Sequence, residues 1–153
     1  MLEASVERLI FAPAERIWRE LGPDRIGTWS GVRVEGTDGA AFAAGAAVRL
    51  RLPALVGSRS HAAHVTAVEA GRKLVLKVDG GRADEIEWTL HPKNNSTRVL
   101  WKRRFVPQGP LAPFAKQLVL PALRRRCLRA LLALEARTTG EEAAPLTPAS
   151  AAR

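Results

Sequence analysis

The side chains with chemistry to offer are few. His61, His64 and His91 are the chain's imidazoles, and Cys127 is its one thiol. His61 and His64 stand three apart, a spacing that sends them to opposite faces of a strand. Zinc needs ligands that converge, so no metal site is expected. The sequence holds no HExxH, CxxC, GxSxG or P-loop pattern, and these are the short motifs with a known mechanism behind them. No cofactor is expected. Cys127 falls on the apolar stripe of a helix, where a cysteine usually serves as a small core residue. The stretch DGGRADE at 79–85 has turn chemistry and is too short to cradle a phosphate.

Two residues remain as candidates for proton transfer or charge stabilisation, and strand register singles them out. With a turn at Lys93-Asn94-Asn95-Ser96, Trp88 faces Trp101, Leu90 faces Val99 and Ile86 faces Arg103. The opposite face then pairs Glu87 with Lys102 and Glu85 with Arg104, as a half-buried antiparallel sheet prefers. A one-residue slip would invert both faces. Arg103 therefore sits on the apolar face, where a charge needs a partner or water. It could hold a carboxylate, phenolate or enolate, or reach solvent along its own stem. A second hairpin turning at Ala70-Gly71-Arg72 sets Val68 against Leu74, Thr66 against Leu76 and His64 against Val78. His64 on that face could move a proton at a carbonyl, with the Thr66 hydroxyl beside it. The alternative is a hydrogen-bonded wall residue, or a solvent-facing one if the register differs.

The elements that must position these residues are read from punctuation and periodicity. Residues 3–11 read as a first strand, with either Val6 and Ile10 or Leu9 and Phe11 facing inward. Pro13 suits a first helical turn, and Ile17, Trp18 and Leu21 have helical spacing over 13–21. Gly22-Pro23 stops that helix, and a second short turn covers 23–27. Strands are expected near 31–36, 46–52, 60–69, 73–79, 83–91 and 97–106, close enough together for an antiparallel meander. Over 110–138, Leu120, Leu123, Cys127, Leu131 and Leu134 recur at helical spacing, and Leu128 and Leu132 widen the stripe. Pro121 should kink or split this helix. Residues 139–153 lack periodicity and carry two prolines, so they read as a disordered tail.

This order resembles the START-like, birch-pollen-allergen-like superfamily that includes the polyketide cyclase/dehydrase and lipid-transport proteins. The likeness rests on IFAPAERIW (10–18), DRIGTW (24–29), the hairpin IEWTLHPKNNSTRVLWKRRF (86–105) and a long helix ending LLALEAR (131–137). It implies one α+β helix-grip domain over residues 1–138. In that fold a curved antiparallel sheet of about seven strands wraps a long C-terminal helix, and two short helices follow the first strand. The resemblance also implies an apolar cavity between sheet and helix. Its expected lining is Trp29, His64, Thr66, Leu76, Trp88 and Leu90, with Val99, Trp101, Arg103, Leu120, Leu123 and Cys127. Trp29 would gate that cavity or plug its end. The group has no shared catalytic motif, so fold-level likeness says little about chemistry.

Composition bounds the remaining choices. The 153 residues carry 24 Lys and Arg against 15 Asp and Glu, a net charge of +9. No strand shows the aromatic-plus-basic pattern of RNA binders, so nucleic acid is not expected. A lone cysteine fits a reducing compartment. No signal peptide or bilayer-spanning run is seen, so a soluble, cytoplasmic protein is expected. Three functions fit these bounds. The first is binding or transport of a lipid-, polyketide- or isoprenoid-like molecule. The second is a cyclase or dehydratase using Arg103 and His64. The third is peripheral contact with an anionic membrane or a partner through Arg124, Arg125, Arg126 and Arg129.

Overall fold

Seven strands hydrogen-bond in the order β1-β7-β6-β5-β4-β3-β2, every neighbouring pair antiparallel. In chain order they are β1 (Leu2–Ile10), β2 (Arg33–Glu35), β3 (Ala47–Pro53), β4 (Ser58–Glu69), β5 (Lys73–Val78), β6 (Glu85–Lys93) and β7 (Ser96–Phe105). The helices are α1 (Ala14–Glu20) and α2 (Ala115–Ala151), with 3-10 turns at Ile26–Thr28 and Ala112–Phe114. The computed structural model describes residues 1–35, 41–53, 57–79, 84–107, 109–110 and 112–151, with side chains described through Thr139. The middle of the turn-like stretch DGGRADE, residues 80–83, lies outside the described residues. The strands β2 to β7 form the expected meander. The first strand closes onto the last, pairing Val6 with Trp101 and Ile10 with Thr97.

One face of the sheet supplies the core, and β1 packs directly against α2. On β1 the side chains of that face are Ala4, Val6, Arg8 and Ile10; Leu9 and Phe11 are exposed, which decides between the two readings of that strand. Arg8 would be a stranded charge on this face, but its guanidinium reaches Glu135 of α2 at 2.9 Å. From α2, Leu120, Cys127, Leu131 and Leu134 are buried and Leu123 packs against the core. Leu128 and Leu132 do not widen this stripe; each is 41% exposed. At 3.6 residues per turn Leu128 lies about 100° around the helix from Cys127, past the reach of the sheet. The helix also runs through Pro121 without the expected split. Pro121 and Gln117 are both exposed, so water can satisfy the carbonyl that the missing N–H leaves open. The helical backbone continues to Ala151, into the stretch 139–153 read as a tail, whose side chains beyond Thr139 lie outside the described residues.

One end of the core is latched by a carboxylate that periodicity did not reveal. Glu20, at the end of α1, is buried and accepts from Arg25 at 2.8 Å and from Arg137 of α2. Its backbone carbonyl accepts the Trp29 indole N–H at 2.7 Å. A single residue thus ties α1, the turn after it, α2 and Trp29. A hydrogen bond to a charged group contributes about 1.5–3 kcal/mol. Glu20→Ala should lower the unfolding free energy by about 1–3 kcal/mol, because both arginines are part-exposed and can hydrate once released. Guanidinium denaturation followed by circular dichroism measures this. A change below about 0.5 kcal/mol, the usual range for surface substitutions, would show the latch to be unimportant.

Candidate functional site

The β6–β7 hairpin has the register read from its side chains. Trp88 lies opposite Trp101, Leu90 opposite Val99, Ile86 opposite Arg103, and Glu87 and Glu85 opposite Lys102 and Arg104. Asn94 makes the tight turn possible by adopting a left-handed φ of 57°, a conformation that asparagine tolerates better than most residues. The register brings two indoles together inside the sheet, with ring centroids 5.2 Å apart. Trp29 closes over them edge-on, 6.5 Å from Trp88 and 5.9 Å from Trp101. Trp29 is itself buried, and its indole N–H is held by the Glu20 carbonyl.

The indole N–H groups are not equivalent. Trp29 has its acceptor. The Nε1 atoms of Trp88 and Trp101 are buried and have no hydrogen-bond partner. A buried donor left unpaired costs about 1–3 kcal/mol. Two such donors, on residues 0% and 3% exposed, therefore burden a fold whose net stability is typically about 5–15 kcal/mol.

Arg103 sits two residues beyond Trp101 on the same face of β7, as expected, and it has a partner that the sequence did not suggest. Its Nε and Nη2 donate to the two carboxylate oxygens of Asp84, each at 3.3 Å. Both side chains are largely buried, at 15% and 13% exposure. Asp84 lies just before β6, where the turn-like sequence hid its inward role. The positive charge of Arg103 also acts on Cys127 of α2. Burial pushes the Cys127 thiol up to about 11, outweighing the downward pull of that charge. Arg103, Asp84, Cys127 and the two indoles thus share one region between β6, β7 and α2.

His64 and Thr66 are not part of it. Near its turn the β4–β5 hairpin has the expected register, with Val68 opposite Leu74, but β4 bulges between Val65 and Ala67. One extra residue reverses the alternation beyond that point. Val65 and Ala63 are therefore the buried residues, Val65 faces Leu76, and His64 faces Lys77. Thr66 is exposed and donates to the Val75 carbonyl. His64 stands half-exposed on the outer face, its Nδ1 2.6 Å from Asp79 Oδ1. The pairing of His64 with Arg103 that a proton-transfer mechanism needs is not assembled. Of the remaining expected lining residues, Leu76, Leu90, Val99 and Leu120 are buried in the core and Leu123 packs against it, partly buried. Among the described residues no group of His, Cys, Asp and Glu could hold a metal ion.

The sequence matches the family described as "Polyketide cyclase / dehydrase and lipid transport" over residues 1–139. The chain belongs to this family. Solved structures with the same fold include TTHA0849 from Thermus thermophilus, 20% identical, with a TM-score of 0.70 over 92% of this chain and 99% of that one. The Aha1 dimer from Colwellia psychrerythraea is 15% identical, with a TM-score of 0.65 over 90% and 96%. DynU16, a protein of the dynemicin biosynthetic locus, is 18% identical with a TM-score of 0.64; the match covers 88% of this chain but 46% of DynU16, so the chain spans about half its length. No curated protein matches the sequence. The family's helix-grip architecture is the one described above, and among the described residues no helix is long and apolar enough to cross a membrane.

The state of Cys127 can be measured directly. Native protein at about pH 8 should resist iodoacetamide, because the thiolate is the reactive form, and should label fully in denaturant. The shift also has a sign in stability. The folded thiol stays neutral above the unfolded value of 9.0, so the folded state is penalised as pH rises from about 9 toward 11. Cys127→Ala should flatten that alkaline limb. Rapid native labelling would contradict the burial.

Proposed function

We propose that this family member binds a hydrophobic small molecule carrying an oxygen acceptor, held between the β6–β7 hairpin and α2. The observation that carries the reading is the pair of buried indole donors, Trp88 Nε1 and Trp101 Nε1, with nothing to donate to. Apolar walls from Leu90, Val99 and Leu120 suit a lipid-, polyketide- or isoprenoid-like body. Such sites combine mostly apolar lining with a few placed polar groups. A carbonyl, carboxylate or phenolate oxygen would satisfy the indoles, and the Arg103–Asp84 pair beside them favours a polar end on that side. The description of the family, polyketide cyclase/dehydrase and lipid transport, supports the same class of guest. The cyclase or dehydratase alternative loses support where it relied on His64, which faces away from the core.

Native mass spectrometry of freshly purified full-length protein, followed by titration with oleate, tests this reading. The expected result is a co-purified small molecule or saturable oleate binding that quenches tryptophan fluorescence. Trp101→Phe keeps an aromatic ring but removes a donor, and should weaken oleate binding about tenfold, the equivalent of about 1.4 kcal/mol. His64→Ala should leave binding unchanged. Absence of both a co-purified molecule and oleate binding would rule the proposal out, as would equal affinity in Trp101→Phe.

A further inference from the structure

The side of α2 that faces away from the sheet has an unusual composition. From residue 106 to residue 134 the chain contains no Asp or Glu but five basic residues, Lys116, Arg124, Arg125, Arg126 and Arg129. None of the five makes an ion pair or side-chain hydrogen bond among the described residues. Interleaved with them are large apolar side chains left in the open. Leu118 is 58% exposed, Phe114 55%, and Leu128 and Leu132 41% each. Val119 and Val106 add to the same end. The first acidic residue of α2, Glu135, is turned inward to Arg8.

A helix side that merely meets water gains nothing from four exposed leucine and phenylalanine side chains or from a run of unpaired cations. The opposite side of α2 is already committed to the core through Leu120, Cys127, Leu131 and Leu134, so the axis is held flat against the domain. We propose that the outer side of α2 docks on an anionic lipid bilayer. Exposed apolar side chains on α2 run from Leu118 to Leu132, a span of about 21 Å at 1.5 Å per residue, and four guanidinium groups lie among them over 124–129. A bilayer interface accepts that mixture: leucines enter the boundary of the acyl chains while arginine stems lie alongside and carry their charges up to the phosphates. A protein partner would have to set a carboxylate opposite each guanidinium, whereas a leaflet of anionic phosphates meets the whole run without such matching. The attraction of each basic residue to an anionic leaflet fades within a Debye length. This inference stands apart from the small-molecule reading, and either can fail alone.

Co-sedimentation of the full-length protein with phosphatidylcholine vesicles, with and without phosphatidylglycerol, gives the test. Binding should require phosphatidylglycerol and fall at least tenfold as salt rises from about 0.1 to about 1 M, where the Debye length shrinks from about 10 to about 3 Å. Arg124→Gln/Arg125→Gln/Arg129→Gln should lose at least tenfold in binding, and so should Leu118→Gln/Leu128→Gln/Leu132→Gln. All six positions are exposed, and an unchanged thermal unfolding midpoint checks that each variant folds. The requirement of the unaltered chain for phosphatidylglycerol, and its salt dependence, needs no variant. Three results would overturn the proposal: no binding to anionic vesicles, full binding by the leucine variant, or a dimer in sedimentation equilibrium that the leucine variant abolishes, which would assign the surface to a second copy. Binding only to an acidic protein, and not to vesicles, would overturn it too.

Discussion

The pairing of Trp88 with Trp101 across β6 and β7 is the contact on which the rest of the core depends. Opposed residues on an antiparallel pair share a face, so two indoles aligned in this way must both enter the core or both leave it. They enter, and the parity of β7 then carries Arg103 inward two residues later. A buried guanidinium requires an anion, and Asp84, the residue just before β6, supplies it with two contacts of 3.3 Å. Trp29, whose N–H is taken by Glu20, closes over the pair. The indole donors of β6 and β7 are thereby sealed from water and from backbone acceptors alike. The polar character of the site is a consequence of register, and register is set by a two-residue turn at Asn94-Asn95.

The other half of the sheet is governed by a different constraint. A β-bulge at Thr66 adds one residue to β4 without a counterpart on β5. It increases local twist, as bulges do. It also exchanges the two faces of β4, burying Ala63 and Val65 and sending His64 outward to Asp79. The imidazole of His64 therefore sits outside the region where Arg103, Asp84 and Cys127 meet. What that region holds is unpaired indole donors, a neutralised ion pair and buried apolar side chains.

The long helix joins these two halves while keeping two distinct faces. Its inner stripe completes the core, and ion pairs pin it to elements distant in sequence: Glu135 to Arg8 of β1, and Arg137 to Glu20 of α1. Its outer side has no such ties among the described residues. Basic and apolar groups remain there together, which separates the residues that stabilise the domain from those free to meet a surface.

The meander of β2 to β7, the helix positions, the β6–β7 register and the inward stripe of α2 are legible in the chain before it folds, whereas the closure of β1 onto β7 is a contact between chain ends. The legible features depend on local signals: alternation, helical spacing, Gly, Pro and Asn punctuation, and complementary charges across one hairpin. The inward position of Arg103 is legible for the same reason, because parity propagates reliably from a well-defined turn. Other features arise only when elements pack. The bulge at Thr66 leaves no signal in the side chains of β4 and emerges only when β5 is paired against it, so simple alternation assigns His64 and Thr66 to the wrong face. The partners of buried charges, Asp84 for Arg103 and Glu20 for Arg25 and Arg137, meet through contacts between elements that no spacing rule encodes. Leu128 and Leu132 match helical periodicity, yet their exposure depends on how far the sheet curls around α2, a property of packed elements that a single helix does not contain.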